Sequence, residues 1–122
     1  MSFDLAVWYP AKNLTNEEAR EVYIQLCEGE IDAVRPHEAI DRFYSAVTSM
    51  HPEIDEVADE DIDDLDVCPW SNAFDRSPGH LILSCVWSKA EYVEELIVKL
   101  AREYGLAVYN PQTGEYVRPH TE

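Results

Sequence analysis

The stretch His80-Leu81-Ile82-Leu83-Ser84-Cys85-Val86-Trp87-Ser88-Lys89-Ala90-Glu91 decides how this chain folds. Its first half is a near-continuous apolar run, the pattern of a central strand with both faces covered. At Ser88 the pattern changes. Ser88 and Glu91 have capping-box spacing, and Trp87 and Tyr92 are placed for a hydrophobic staple, so a helix begins there. Val93, Leu96, Leu100 and Tyr104 continue it at helical spacing, and Gly105-Leu106 resembles a Schellman stop. Leu106–Tyr109 reads as a strand, Asn110–Gly114 as a turn and Glu115–Val117 as a short return strand.

Working back toward the N-terminus, Phe3, Leu5, Val7 and Tyr9 share one face at period two, and Pro10 ends that strand. Thr15 and Glu18 form a second capping box. Ala19, Val22, Tyr23, Leu26 and Cys27 line one side of the helix it opens, with Gly29 as its stop. A further helix is expected from Pro36 to Met50 on the stripe Ile40, Phe43, Tyr44 and Val47, ended by His51-Pro52. Val67–Gly79 suggests an edge strand and a turn at Ser77-Pro78-Gly79. The order β-α-α-(β)-β-α-β predicts an α+β, ferredoxin-like fold: three to five mainly antiparallel strands with three helices packed on one face. The first and central strands are expected as parallel neighbours, which puts Trp8 and Trp87 at the same sheet end.

The chain has 122 residues, the size of one domain spanning 1–122, and its 46 % hydrophobic content supports a packed core. Its formal net charge is −16, from 25 acids against 9 bases. Such a surface repels phosphates, which argues against nucleic acid and anionic membranes and for a basic protein, a cationic ligand or a hard metal ion, with a basic protein partner the leading expectation. The N-terminal segment lacks signal-peptide features, no apolar run is long enough to span a membrane, and the three cysteines form no CxxC pair. A cytoplasmic location is expected.

The acids concentrate in Glu53–Asp66, with nine in fourteen residues. Asp59, Asp61 and Asp63 have the opening spacing of a calcium loop. Asp64 then stands where glycine is needed, and Trp70 where the bidentate glutamate belongs, so no metal site is assigned. The segment is either a solubilising loop or an electronegative patch that steers a basic partner. On the second reading Asp59, Glu60, Asp61, Asp63, Asp64 and Asp66 carry the charge, and Trp70 is a candidate anchor.

Catalytic signals are sparse. His37, His51, His80 and His120 have no zinc-ligand spacing, and no phosphate loop, dinucleotide loop or nucleophile elbow occurs. Cys68 with His51 or His80 is the one nucleophilic pairing to weigh. Cys27 and Cys85 lie on apolar faces and read as core residues. No catalytic residue and no cofactor is assigned. Trp8 and Trp87, with Trp70, form either a structural aromatic cluster or an interface.

The segments Phe3-Asp4-Leu5-Ala6-Val7-Trp8, Cys68-Pro69-Trp70-Ser71, His80 to Glu91 and Gly105 to Gln112 together resemble a group of small acidic bacterial proteins, some of them immunity proteins of polymorphic toxin systems. The resemblance lies mainly at the two ends of the chain. It implies a cytoplasmic inhibitor that neutralises a cognate toxin, and it assigns no functional residues. The resulting expectation is a protein-binding inhibitor acting through an acidic surface. The alternatives are a non-catalytic adaptor or regulatory domain, and a small metal- or Cys/His-dependent enzyme.

Overall fold

A computed structural model describes residues 2–10, 13–61 and 63–118. The strands are β1 (Phe3–Trp8), β2 (Asp75–Ser77), β3 (His80–Cys85), β4 (Ala107–Asn110) and β5 (Glu115–Val117). The helices are α1 (Asn16–Cys27), α2 (Glu38–Met50) and α3 (Ala90–Glu103). The strands form one open five-stranded sheet in the order β2-β3-β1-β4-β5, with every neighbouring pair antiparallel. The α+β class is as expected, and the strand order of the open sheet is the ferredoxin-like one with β5 and one helix added. Among the described residues, no helix is long and apolar enough to cross a membrane.

Sheet parity settles how the helices are shared between the faces. Phe3, Leu5 and Val7 of β1 lie with Leu81, Leu83 and Cys85 of β3 in one buried cluster, which α2 and α3 cover with Ile40, Phe43, Val47, Val93 and Ile97. The alternate residues Ala6, Trp8, Ile82 and Tyr109 form a second cluster, covered by Ala19 and Leu26 of α1. The three helices therefore do not share a face. The apolar residues of β3 point both ways, as period two requires, and α1 supplies the second cover.

Strand direction is a second correction. β1 and β3 pair antiparallel from Phe3↔Cys85 to Trp8↔His80, so Trp8 and Trp87 lie toward opposite ends of the sheet. Trp8 is buried and stacks near Tyr109 and Tyr116, whereas Trp87 meets Phe3 edge-on.

The helix ends show which local signals prevailed. At α1 both halves of the capping box form: Glu18 N donates to Thr15 Oγ1 (3.1 Å), and Thr15 N donates to Glu18 Oε1 (2.9 Å). α2 starts two residues beyond Pro36, and the His37 ring accepts from Ala39 N through Nδ1 (3.0 Å). The capping box expected at Ser88 does not form. Trp87–Lys89 is a 3₁₀ turn that runs straight into α3, so no side chain caps that helix. At its other end the Schellman stop is present, with Leu106 N donating to Ala101 O (2.8 Å) and Gly105 at φ 72°. Cys27, expected in the core, is exposed at the last turn of α1, whereas Cys85 is buried.

The β2–β3 turn is held against the segment before α2. His37 N donates to Pro78 O (3.1 Å), and a Cβ built on Gly79 would lie 2.7 Å from the Arg35 carbonyl oxygen. That neighbour is backbone and has little room to retreat. Gly79→Ala is expected to cost about 1–3 kcal/mol of stability, read as a lower urea midpoint with an unchanged slope. An unchanged midpoint would show that the approach is looser than the structure has it.

Candidate functional site

The acidic segment is folded onto the body. Two 3₁₀ turns, Ile54–Glu56 and Asp59–Asp61, shape its first part, and Ile54 and Val57 pack against the core cluster beneath. Glu53 anchors one end: its carboxylate accepts from the Tyr44 hydroxyl and from Phe74 N (3.2 Å). The other end is closed by its own carboxylate and carbonyl, with Asp66 N donating to Asp64 Oδ1 (3.0 Å) and Cys68 N to Asp64 O (2.9 Å). Backbone turns and buried aliphatic contacts thus hold a run of like charges that Coulomb repulsion would spread apart.

Asp59, Glu60, Asp63, Asp64 and Asp66 are exposed, and Asp61 is partly covered. Asp66 pairs with Lys89, whose Nζ lies 2.7 Å from Asp66 Oδ1. The pairing holds the Asp66 carboxyl below its ordinary range and the Lys89 ammonium above its own, chiefly through that hydrogen bond. Asp59, Glu60 and Asp63 project their charge into solvent. Among the described residues, no three His, Cys, Asp or Glu side chains converge as metal ligands do.

Trp70 is not a surface anchor. It is 2 % exposed, and its indole Nε1 donates to the His51 carbonyl (3.0 Å). An isolated bridge also pairs Trp70 with Cys85 at the end of β3. The exposed tryptophan is Trp87, at 47 %. Sequence spacing could not separate the two, because each lies at a junction between segments and each can finish a core.

His51 ties the loop to α3. Its Nδ1 faces the Val67 carbonyl (3.1 Å), which can only accept, so Nδ1 carries the proton. In the neutral ring Nε2 then accepts from the Tyr92 hydroxyl (2.7 Å). Both ring nitrogens are committed, and neither serves Cys68. Burial pushes the Cys68 thiol up, away from a reactive thiolate. His120 lies outside the described residues.

A grouping that the sequence reading missed is Asp75, Ser77 and His80 on the β2–β3 hairpin. Gly79 N donates to Ser77 Oγ (3.2 Å), and Ser77 Oγ lies 2.6 Å from His80 Nδ1. His80 Nε2 is buried without a hydrogen-bond partner, and Asp75 Oδ2 stands 3.7 Å away, too far for a hydrogen bond. The D-x-S-x-x-H spacing across Pro78-Gly79 was the available signal. The hydroxyl here locks a turn, since Ser77 Oγ is already engaged from both sides. Two cavities of about 530 and 540 Å³ lie elsewhere, one below α1 lined by Trp8, Tyr9, Leu14, Val22 and Arg35, the other between α3 and β5.

Burial holds the His80 imidazole below its ordinary value of 6.5, with Asp75 opposing the shift. The unfolded chain therefore binds the proton more readily, and stability is lost as pH falls below about 6.5. Compared with His80→Gln, which cannot titrate, the wild type is expected to lose its stability advantage between about pH 7.5 and pH 5. Urea unfolding of both chains across that range checks this; a constant gap would mean that His80 is not protonated more readily on unfolding. No protein-family model matches the chain, and no curated protein or solved structure matches it significantly.

Proposed function

We propose that this chain is a non-catalytic, protein-binding inhibitor that presents an acidic surface to a basic partner, and that the partner is a bacterial toxin neutralised in the cytoplasm. The observation that carries this reading is the fixed presentation of charge. Exposed carboxylates at Asp59, Glu60, Asp63 and Asp64 lie on a segment anchored at Glu53 and again at Asp64–Cys68. A mobile acidic tail would keep a protein soluble equally well. Anchoring places the same charges opposite one site on a partner, which speeds encounter and rejects like-charged competitors.

Two further features favour binding over catalysis by Cys68. Its thiol is buried and pushed up, and the ring nitrogens of His51 are engaged by Val67 and Tyr92. If the toxin acts on nucleic acid, the carboxylates can occupy the positions of phosphates on its basic surface. The resemblance to immunity proteins in the strand, Cys68-Pro69-Trp70-Ser71 and C-terminal motifs points the same way.

Recovery of the protein from its native cells at low and high salt tests the proposal. A stoichiometric basic partner that is retained at low salt and lost at high salt is expected; repeated recovery of the chain alone, with its neighbouring genes expressed, would sink it. With the partner in hand, Asp59→Asn, Glu60→Gln, Asp61→Asn, Asp63→Asn, Asp64→Asn and Asp66→Asn combined should slow association about 10- to 100-fold and flatten its salt dependence. Unchanged kinetics would reduce the loop to a solubilising role.

A further inference from the structure

Building on that binding role, we infer that the surface at the start of α3 docks an arginine-bearing segment of the basic partner. Trp87 and Tyr92 supply the aromatic contacts, Asp66 supplies the counter-charge, and Lys89 is a resident cation that the partner's guanidinium displaces.

Only four large apolar side chains among the described residues are markedly exposed: Ile31, Met50, Trp87 and Tyr92. Two of them flank Lys89 along the chain. Trp87 heads the turn that carries Lys89, and Tyr92 lies in the first turn of α3. The aromatic pair is also held in place. The Tyr92 hydroxyl is fixed by His51 at 2.7 Å, and the Trp87 ring packs edge-on against Phe3 with centroids 5.5 Å apart. Rings already immobilised, with about half their surface open, lose little entropy when a partner covers them.

The cation preference is visible within the chain. Lys89 Nζ sits 2.7 Å from Asp66 Oδ1 and 6.0 Å from the Tyr92 ring centroid, so a carboxylate and a phenol ring already share one cation. A cation over a phenol ring occurs again at Tyr44, where the Arg76 guanidinium lies 3.8 Å from the ring centroid while the hydroxyl donates to Glu53. There the contact is closer and the cation is arginine. At α3 the cation is a lysine at the limit of ring contact, and Asp66 is 85 % exposed. The Asp66 half of the pair is open to water, which weakens it although the Lys89 side chain is only 30 % exposed, and a planar guanidinium can stack and bond at once where an ammonium cannot. Asp64 adds to the negative field at Lys89. Charge complementarity therefore selects a basic protein segment, and the exposed rings select arginine within it.

The full chain is titrated with octa-arginine amide, followed by calorimetry and by tryptophan emission. Because Trp8 and Trp70 are each 2 % exposed, the emission change reports chiefly on Trp87. Trp87→Ala is expected to weaken binding about tenfold. Lys89→Gln is expected to tighten it about threefold, whereas Lys99→Gln, the same charge change about three turns further along α3, should tighten it by less than about 1.5-fold. Lys89 lies outside the buried core, so Lys89→Gln carries the test if Trp87→Ala proves unstable.

If Trp87→Ala and Lys89→Gln bind like the wild type while Asp59→Asn/Glu60→Gln/Asp63→Asn binds more weakly, the docking site is overturned and the acidic-surface reading survives. The reverse pattern supports the site and counts against the loop. Equal tightening by Lys89→Gln and Lys99→Gln would mean unspecific charge attraction and would also overturn it, as would failure of the wild type to bind the peptide at low salt. The co-purification outcome stands apart from all of these, because it does not depend on which residues make the contact.

Discussion

The pairing of β1 with β3 is the constraint on which the remaining structure depends. Six residues of each strand run antiparallel in the middle of the sheet, with Leu5 opposite Leu83 and Val7 opposite Leu81. Every alternate side chain is committed to one of two buried layers, so a slip of one residue would exchange the layers completely. α2 and α3 are seated by the odd-numbered residues of these strands, and α1 by the even-numbered ones. β2 and β4 then add at the two flanks, and β5 extends the sheet beyond β4. Gln112, in the β4–β5 turn, bonds the backbone of Asp4 through both its amide atoms, at 2.9 and 2.8 Å, and so secures the start of β1.

The charge is accommodated around this frame. The acidic segment contributes Ile54 and Val57 to the core and directs most of its carboxylates outward, so burial offsets part of the repulsion among them. His51 joins three parts of the molecule: the end of α2, the end of the acidic segment through Val67, and the start of α3 through Tyr92. Its carbonyl also receives the Trp70 indole. The exposed ring of Tyr92 and the end of the acidic segment are thus held to the same body by a short series of hydrogen bonds.

Much of this was legible in the order of residues, but unevenly. The T-x-x-E box at Thr15 forms as its spacing implies, with both reciprocal hydrogen bonds in place. The same spacing at Ser88 fails, because the 3₁₀ turn at Trp87–Lys89 carries the chain directly into α3. Val93 of the expected α3 stripe is buried, but the residues buried with it are Ile97 and Ala101, and Leu100 packs only at the edge. Spacing defines a face to within one residue, and the angle at which the helix lies on the sheet selects among the neighbours. The candidate site was less legible. Its acids could be counted, but the burial of Trp70 and the exposure of Trp87 depend on contacts with His51 and Phe3 that are remote in sequence.

The sequence by itself determined the number and kind of most elements, the α+β class, the concentration of acids in one segment, and the demand of His80–Cys85 for cover on both faces. These follow from local periodicity, capping and charge, which act over a few residues. The tertiary structure alone decided that α1 supplies that second cover, that β1 and β3 run antiparallel, and that Asp66, Lys89 and Tyr92 meet while Trp70 turns inward. Each of these outcomes depends on which buried surfaces fit together across long stretches of chain, and that complementarity exists only once the sheet has formed.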